Sequence, residues 1–339
     1  MSQRHSVSSG TGATIVMAEI LFIKTSSLGD VVHHMPAVTD ARRQRPDARL
    51  TWVVEEAYAP LARLHPGVDA VIPVASRRWR AKLSDPATWR EIGRFRRTIR
   101  ETSYDAAVDT QGLLRSAAIA QGVRGVRHGY DVASIREPLA CLFYDVRHRV
   151  EWGAHAIRRN RMLCGLALGY APAQPLDFGL DRRAIARKAA SPYGVLIHAT
   201  AQPRKEWASA HWIAVARGLR DRGLDVVLPW GSDAERARSE EIAAASAAEA
   251  RPDLVPDRRP LDEVAALIAG ASLVVGVDTG LAHVAAALGV PLVAIFIGSE
   301  PGLTGPMGSG PIEVVGGKGA MPDPAEVLRA LDRVAGRAP

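Results

Sequence analysis

The chain alternates short apolar runs with longer segments in which apolar residues recur every three or four positions. In the first half the runs ILFIK, TWVVE, AVIPV and YDAAVD are nearly continuous. Such runs predict strands whose two faces are both covered, and the helical period between them predicts the covering helices. Strands are predicted at 18–24, 50–56, 70–74 and 104–112, and helices from Val31, Tyr58, Ala87 and Leu113.

The second half repeats this alternation. Strands are predicted at 194–200, 225–231, 272–278 and 291–298, and helices from His211, Ala234, Pro260, Leu281 and Pro324. Repeated strand–helix units predict an α/β fold with parallel, doubly wound sheets.

Between the halves, Pro172, Pro175 and Gly179 interrupt any strand or helix period. The predicted organisation is a first domain at 18–175, a linker at 176–190, a second domain at 191–321 and a C-terminal helix at 322–339. Open parallel sheets bind ligands outside the carboxyl ends of their strands. We therefore expect an active site in a cleft between the two domains.

Length and composition agree with two globular domains, because 339 residues exceed the usual size of one core. No apolar run approaches the roughly 20 residues that a membrane span needs.

Residues 1–17 are Ser- and Gly-rich, lack the apolar region of a signal peptide, and are predicted to be a disordered tail. The two cysteines, Cys141 and Cys164, lack metal or redox spacing and fit a reducing cytoplasm.

A net charge of +7 and a pI near 9.8 predict an anionic partner: nucleic acid, a membrane surface or an acidic substrate. The cations cluster in SRRWRAK, residues 76–82, and RFRRTIR, residues 94–100. A solvated helix face is the favoured interpretation of the second cluster. The first contains Trp79, which a solvated face would not need.

One polar loop follows the first strand, from Lys24 to Asp30. Neither the G-x-G-x-x-G fingerprint nor the G-x-x-x-x-G-K-[ST] phosphate loop is present there. Asp30 could cap the next helix or act as a general base toward an incoming hydroxyl. Spacing alone favours the cap.

A second such loop, VDTGLAH, follows the strand SLVVGV. Gly280 permits close backbone approach, and the helix that follows offers free N–H groups, so the loop predicts a diphosphate cradle. Asp278 would then face sugar hydroxyls. A helix cap with a packing glycine is the alternative, but Asp278, Thr279, Gly280 and His283 together exceed what capping requires.

Two further strand ends carry candidate donor contacts. Lys205 could neutralise a phosphate, Thr200 could donate to it, and Glu235 could accept from ribose hydroxyls. Alone, Lys205 and Glu235 would be interpreted as solvated charges. The histidines and cysteines show no zinc spacing, and a G-x-S-x-G elbow is absent, so the sequence predicts neither a metal site nor a serine hydrolase.

Taken in order, these segments resemble the lipopolysaccharide heptosyltransferases, and among them the type I enzymes. The resemblance rests on KTSSLGDVVHHMPAVTDA, VIPVASRRWR, YDAAVDTQGLLRSA, RHGYDVASIREPLA, HATAQPRKEW and VDTGLAHVAAALG, and runs from about Ala18 onward. It implies a GT-B glycosyltransferase with two facing Rossmann-like domains, inversion at the anomeric carbon, and no metal or other cofactor.

The resemblance also implies substrates and roles. The donor would be ADP-L-glycero-β-D-manno-heptose and the acceptor the first Kdo of Kdo2-lipid A. Asp30 matches the general base, which reverses the preference for capping. Donor contacts are expected from Thr200, Lys205, Glu235, Asp278, Thr279, Gly280, Leu281 and His283, and acceptor contacts from Ser27, Gly29, Arg77, Arg78, Arg80, Gln111 and Arg136.

The acceptor and the anionic lipids around it suit the basic first domain. We expect a peripheral protein on the cytoplasmic face of the inner membrane of a Gram-negative bacterium, with Trp79 beside a sugar or in the membrane surface. Three alternatives stay open: a type II heptosyltransferase acting on heptosylated core, a nicotinamide dehydrogenase, and a nucleic-acid-binding module. The missing G-x-G-x-x-G disfavours the dehydrogenase, and the lack of an aromatic-interleaved basic stretch disfavours nucleic acid.

Overall fold

The chain divides into two units, residues 1–175 and 176–339. The structure, a computed structural model, describes residues 6–8, 14–200, 202–246, 255–298 and 300–336, with only the backbone for 6–8 and 14–16. Each unit contains one parallel sheet with helices between its strands. The prediction of an α/β fold with parallel sheets is therefore confirmed.

The first unit is built on a six-stranded sheet in the order β5-β4-β3-β6-β7-β8, and every neighbouring pair is parallel. Its elements are β1 Ser6–Ser8, β2 Thr14–Val16, β3 Glu19–Ile23, α1 Leu28–Gln44, β4 Arg49–Glu55, α2 Ala59–Arg63, β5 Ala70–Val74, α3 Ser76–Ala81, α4 Pro86–Glu101, β6 Ser103–Asp109, α5 Leu114–Ala120, β7 Arg124–Tyr130, β8 Val146–His148 and α6 Ala156–Leu168, with 3-10 turns at Glu56–Tyr58 and Pro138–Phe143.

Helix α1 lies deep in this unit, and every residue from Val31 to Ala41 is buried. It packs against α6, and the two helices share a buried ion pair in which Arg161 Nε lies 2.7 Å from Asp40 Oδ2. A second guanidinium nitrogen donates to Asp40 Oδ1 at 3.1 Å, so both carboxylate oxygens are satisfied. This ion pair therefore fixes α1, which follows the end of β3, to α6.

The expected disordered tail, residues 1–17, is described only in part. Strands β1 and β2 pair antiparallel, with Ser6 opposite Val16, while residues 1–5 and 9–13 lie outside the described residues.

The second unit has a five-stranded sheet in the order β10-β9-β11-β12-β13, again parallel throughout. Its elements are α7 Arg182–Ile185, β9 Tyr193–Ile197, α8 Ser209–Asp221, β10 Asp225–Val227, α9 Asp233–Ser246, α10 Leu261–Gly270, β11 Leu273–Val277, α11 Gly280–Ala287, β12 Leu292–Phe296, β13 Ile312–Gly316 and α12 Pro324–Ala335, with a 3-10 turn at Pro203–Lys205.

Two segments outside the predicted second domain pack within this unit. In the expected linker, residues 176–190, Arg182 donates to the carbonyl oxygens of Ala269 and Ala271. In the C-terminal segment, α12 packs on α8 and β13, and it buries one apolar face that includes Val327 and Leu331.

Strand order locates the ligand edge in each sheet. In the first sheet β4 and β5 lie on one side of β3, and β6 lies on its other side. In the second sheet β10 lies on one side of β9, and β11 lies on its other side. Crevices open at the carboxyl ends of strands where the order reverses in this way. These are the β3/β6 ends in the first unit and the β9/β11 ends in the second.

Several elements had no counterpart in the sequence prediction, among them β7, β8, β13 and α6. Strand β8 lies at one edge of the first sheet with β7 next to it, β13 forms an edge of the second, and all three expose part of their length. An exposed strand carries polar residues and lacks the continuous apolar run of a covered one. Among the described residues, no helix has the length and apolar character to cross a membrane.

Candidate active site

The loop between β3 and α1 presents Asp30 at the first switch point. Ser27 is the N-cap of α1, and its backbone N–H and hydroxyl donate to Asp30 Oδ2 at 2.7 and 3.0 Å. Asp30 thus takes part in the cap that the spacing favoured. Its other oxygen, Oδ1, faces Lys24 Nζ at 3.7 Å, and the carboxylate keeps about a third of its side-chain surface, 32%, exposed.

Lys24 is buried beneath this carboxylate, and its ammonium donates to the Thr110 carbonyl at 3.0 Å. Burial lowers the pKa of Lys24, while the negative charges of Asp30 and Asp109 act in the opposite direction. No spacing signal in the sequence marks Lys24. Its position makes it the cation nearest to the proposed base among the described ion pairs.

Gln111 holds the same loop from the end of β6. Its side-chain oxygen accepts from the backbone N–H groups of Thr25 and Ser26 at 3.1 and 3.2 Å. Asp109, which is fully buried, in turn fixes the turn around Gln111 by accepting from its N–H at 2.8 Å. Burial raises the pKa of Asp109, and Tyr144 donates to its second oxygen at 2.7 Å. The predicted acceptor residue Gln111 is therefore also a support of the loop.

One of the predicted acceptor arginines is already engaged. Arg78 makes a forked contact with Glu56, at 3.0 and 3.1 Å, and a third bond to Glu91 at 2.8 Å. Glu91 also accepts from the Trp79 indole N–H at 2.8 Å, and Trp79 packs edge-on against Phe95. Trp79 is thus half-buried and packs within the first unit. The sugar or membrane contact expected from the sequence stays a prediction.

The remaining predicted acceptor residues lie at carboxyl strand ends. Arg77 and Arg80 are exposed on α3, which follows β5, and the Arg77 guanidinium sits over the Tyr58 ring at 5.5 Å. Arg136 is exposed in the segment after β7. Ser27 and Gly29 frame the start of α1 beside Asp30.

In the second unit, Lys205 and Asp278 form a close ion pair. Lys205 Nζ lies 2.5 Å from Asp278 Oδ2, with 15% and 10% of the two side chains exposed. His283 Nε2 lies 4.0 Å from the other oxygen of Asp278. The three predicted donor residues therefore meet, although 73 residues separate the first two.

The N-terminus of α11 lies at the same switch point. Thr279 is its N-cap and makes no side-chain capping bond, and Gly280 and Leu281 are its first two residues. Their N–H groups stand at the positive end of the helix, the arrangement that favours bound phosphate. Thr200, after β9, is half-buried and accepts from the Gln202 N–H at 3.4 Å.

Glu235 has a structural contact of its own. One of its oxygens accepts from the N–H groups of Gly231 and Ser232 at 2.7 and 3.2 Å, which caps the start of α9. A ribose hydroxyl would have to approach the other oxygen.

His198 is a buried residue of this edge that the sequence analysis missed. It follows β9, and its Nε2 lies 2.7 Å from the Ser239 hydroxyl. Burial, with a smaller contribution from Arg238, lowers the pKa of His198 to about 4. No spacing signal marks it, because Ser239 lies 41 residues away.

A cavity of about 370 Å³ opens at the opposite edge of the second sheet, where Tyr193 and Asp225 begin their strands. None of the predicted donor residues lines it. Among the described residues, no three histidine, cysteine or carboxylate side chains group as metal ligands.

Comparisons with known proteins agree with this geometry. Residues 92–328 match the family model of glycosyltransferase family 9 (heptosyltransferase). The chain is 44% identical to lipopolysaccharide heptosyltransferase 1 of Pseudomonas aeruginosa strain PAO1 over 292 residues, which cover 85% of this chain and 81% of that protein. Lipopolysaccharide heptosyltransferase 2 of Escherichia coli K12 is similar over a shorter stretch, 39% identical over 108 residues, or 31% of this chain and 30% of that protein.

Two solved structures are similar over nearly the whole chain. One is E. coli heptosyltransferase WaaC with ADP, with a TM-score of 0.83 and 35% identity over 93% of this chain and 98% of that one. The other is the same enzyme with ADP-2-deoxy-2-fluoro heptose, with a TM-score of 0.81 and the same identity and coverage. The family match excludes the dehydrogenase alternative. With the family model matched over residues 92–328 and a relative 44% identical over 85% of its length, the chain belongs to glycosyltransferase family 9, the heptosyltransferases, and has their GT-B fold.

Proposed function

We propose that this protein transfers L-glycero-D-manno-heptose from ADP-L-glycero-β-D-manno-heptose to the first Kdo of Kdo2-lipid A, with inversion and without a required metal. The observation that carries the proposal is the placement of Asp30. Its carboxylate stands at the switch point of the first sheet, with one oxygen held by the helix cap and the other facing Lys24 Nζ at 3.7 Å.

Asp30 acts as the general base in this proposal. Its Oδ1 takes the proton of the acceptor hydroxyl, and the oxygen of that hydroxyl bonds to the anomeric carbon of the heptose. The bond from this carbon to the diphosphate breaks, and its electron pair leaves with ADP. Lys24 Nζ lies 3.7 Å from Oδ1 and orients the carboxylate.

The residues at the β9/β11 ends bind the donor. Lys205 and the N–H groups at the start of α11 meet the diphosphate, where they stabilise the charge that grows on the leaving group. Thr200 donates to the same phosphates. Asp278 and His283 contact the heptose, Thr279 and Leu281 complete the cradle, and the free oxygen of Glu235 contacts the ribose. The neighbouring structures with ADP and its heptose analogue support a donor of this class.

The breadth of the similarity favours the type I acceptor. The type 1 relative matches 85% of the chain, including the arginine-bearing first unit, whereas the type 2 relative matches 31%. Arg77, Arg80 and Arg136 suit Kdo carboxylates and lipid A phosphates, because arginine pairs with such groups through two parallel hydrogen bonds. An anionic lipid acceptor also places the protein at the periphery of the inner membrane, on the cytoplasmic face.

The test is ADP release from ADP-heptose with three acceptors: Kdo2-lipid A, heptosylated Kdo2-lipid A, and none. Turnover only with Kdo2-lipid A is expected, and it should persist in EDTA. Turnover only with the heptosylated acceptor would transfer the assignment to the type II reaction. Mass spectrometry of the lipid product distinguishes transfer from hydrolysis of the donor.

A further inference from the structure

Two large apolar side chains stand together on the outside of the first unit. Leu83, in the segment between α3 and α4, is 50% exposed, and Trp89, in the first turn of α4, is 59% exposed. The Trp89 indole N–H donates to the Leu83 carbonyl at 2.8 Å, so the two residues form one protrusion. Its polar group is satisfied and its ring faces solvent. We call this pair the Leu83–Trp89 knob.

Exposed cations surround the knob. Lys82 and Arg90 flank it in sequence and are exposed, and the described hydrogen bonds and ion pairs include none from either side chain. Helix α4 buries only Thr88, Phe95 and Ile99. At helical spacing the opposite face carries Arg90 and two further exposed cations, Arg94 and Arg97.

Five cations and two carboxylates lie between Lys82 and Arg97, so this segment keeps a net positive charge. Asp85 caps α4 by accepting from the Ala87 N–H at 2.8 Å. Glu91 is held by Arg78 at 2.8 Å and by Trp79. The surface is therefore apolar at its tip and cationic around it.

This combination fits one occupant. Tryptophan partitions to the interface of a bilayer, where its ring and its polar group are both accommodated, and lysine and arginine are drawn to anionic headgroups. A protein partner would match the cations with acidic side chains, but it would not require an exposed tryptophan beside an exposed leucine. Nucleic acid would not require the leucine.

We propose that the Leu83–Trp89 knob, with Lys82, Arg90, Arg94 and Arg97, docks this protein on an anionic lipid surface. The proposal rests on the proposed function, because the acceptor is a membrane lipid. The knob follows α3, which bears Arg77 and Arg80 at the carboxyl end of β5. Strand β3, with Asp30 at its end, lies two places away in the sheet, about 10 Å. Docking of the knob would thus bring the carboxyl ends of these strands, with Asp30, toward the membrane.

The experiment is sedimentation of the full-length protein with vesicles of phosphatidylcholine, with and without phosphatidylglycerol. The variant L83S/W89S should bind the anionic vesicles at least about tenfold more weakly, because it removes the apolar area that docking would bury in the membrane. The variant K82E/R90E should also bind about tenfold more weakly, and this effect should shrink at high salt.

Two control variants match these changes elsewhere. Leu166→Ser removes a leucine that is 47% exposed on α6, and K318E/R329E reverses two exposed charges of the second unit. Both should bind vesicles like the wild type. Equal losses in the controls, no loss in L83S/W89S, or no binding by the wild type would each overturn the proposal.

An enzymatic readout separates this proposal from the proposed function. The knob variants should turn over a deacylated, water-soluble Kdo acceptor at the wild-type rate, and should be slowed only on acceptor embedded in vesicles. An equal loss on both acceptors would overturn docking as the role of the knob. A wild type that binds vesicles but turns over neither acceptor would refute the proposed transfer to Kdo and leave the docking result intact.

Discussion

Lys205 Nζ lies 2.5 Å from Asp278 Oδ2, so the cation proposed to meet the donor diphosphate is already paired with a carboxylate. Both side chains are largely buried, so removal of either breaks an ion pair that is shielded from water. Asp278 therefore orients Lys205 and competes with phosphate for it.

Lys205→Met should weaken ADP binding about 10- to 100-fold, because a hydrogen bond to a charged group contributes about 1.5–3 kcal/mol. Asp278→Asn should leave ADP binding unchanged or tighter, since it releases Lys205, but should weaken ADP-heptose binding. Titration calorimetry with both nucleotides measures the difference. Arg329→Met, an exposed cation on α12, is the control. Equal weakening of both ligands by Asp278→Asn would argue against a heptose contact.

Asp30 has two separable roles, as helix cap and as proposed base. Asp30→Ala should lower kcat about 100-fold or more, as loss of a general base does, while ADP-heptose still binds. Loss of the cap should cost about 1 kcal/mol of stability in addition.

Asp323→Ala provides the matched control for capping. Asp323 caps α12 by accepting from the Glu326 N–H at 2.7 Å, a bond as short as that from Ser27 to Asp30. We expect a similar loss of melting temperature and no loss of kcat. If the two variants lose the same activity, Asp30 is only a cap.

Gln111 is expected to act on the rate constant as well as on acceptor binding. Gln111→Leu removes the oxygen that accepts from Thr25 and Ser26, so the loop that carries Asp30 loses its fixed geometry. We expect kcat to fall about tenfold, because small misplacements of a catalytic group are costly. Gln111→Glu keeps an accepting oxygen and should restore most of kcat. An increase in the acceptor KM alone would leave only the direct acceptor contact predicted from the sequence.

The basic cluster on α3 should divide into two kinds of arginine. Arg77→Ala and Arg80→Ala should each raise the acceptor KM about three- to tenfold without loss of stability, since the structure leaves them exposed. Arg78→Ala should instead lower the melting temperature, because Arg78 joins Glu56 to Glu91. Kinetics and thermal melting of the three variants test this division. A KM effect for Arg78 as large as the others, at unchanged stability, would restore it to the acceptor site.

The fold could be predicted where both faces of a strand are covered. Strands β3, β9, β11 and β12 are buried almost throughout, and a continuous apolar run marks each of them. Strand β7, RGVRHGY, is exposed over its first half and carries no such run. Because its residues are mostly polar, the sequence pattern did not predict β7, and it did not predict α6 either.

The site could be predicted only as a set of strand ends. A parallel sheet gathers those ends at one edge, so the positions of Asp30, Lys205 and Asp278 follow from the period of the chain. Which side chains pair does not follow. The partner of Lys24 is within six residues, but that of Lys205 is 73 residues away. Spacing carries no signal for such contacts. For the same reason the sequence pattern singled out Trp79, which is half-buried against Phe95, and gave no signal for Trp89, which is 59% exposed.

His198 should make the stability of the second unit depend on pH. Its pKa is lowered to about 4 in the folded protein, because the ring is fully buried, whereas an unfolded histidine titrates near 6.5. Between these values the unfolded chain binds the proton and the folded chain does not, so the free energy of unfolding falls as pH decreases. One proton changes it by about 1.4 kcal/mol per pH unit.

His198→Gln removes this titration and retains a polar end group for Ser239. The difference in the free energy of unfolding between wild type and variant should be constant above about pH 7 and should shift against the wild type by about 3 kcal/mol by about pH 4. Denaturant unfolding at several pH values measures it, with the difference at pH 8 as reference, which cancels any packing cost of the substitution. A difference that stays constant down to pH 4 would mean that the imidazole takes up a proton in the folded unit as readily as in the unfolded chain. Its burial beside Ser239 and Arg238 would then carry no electrostatic cost.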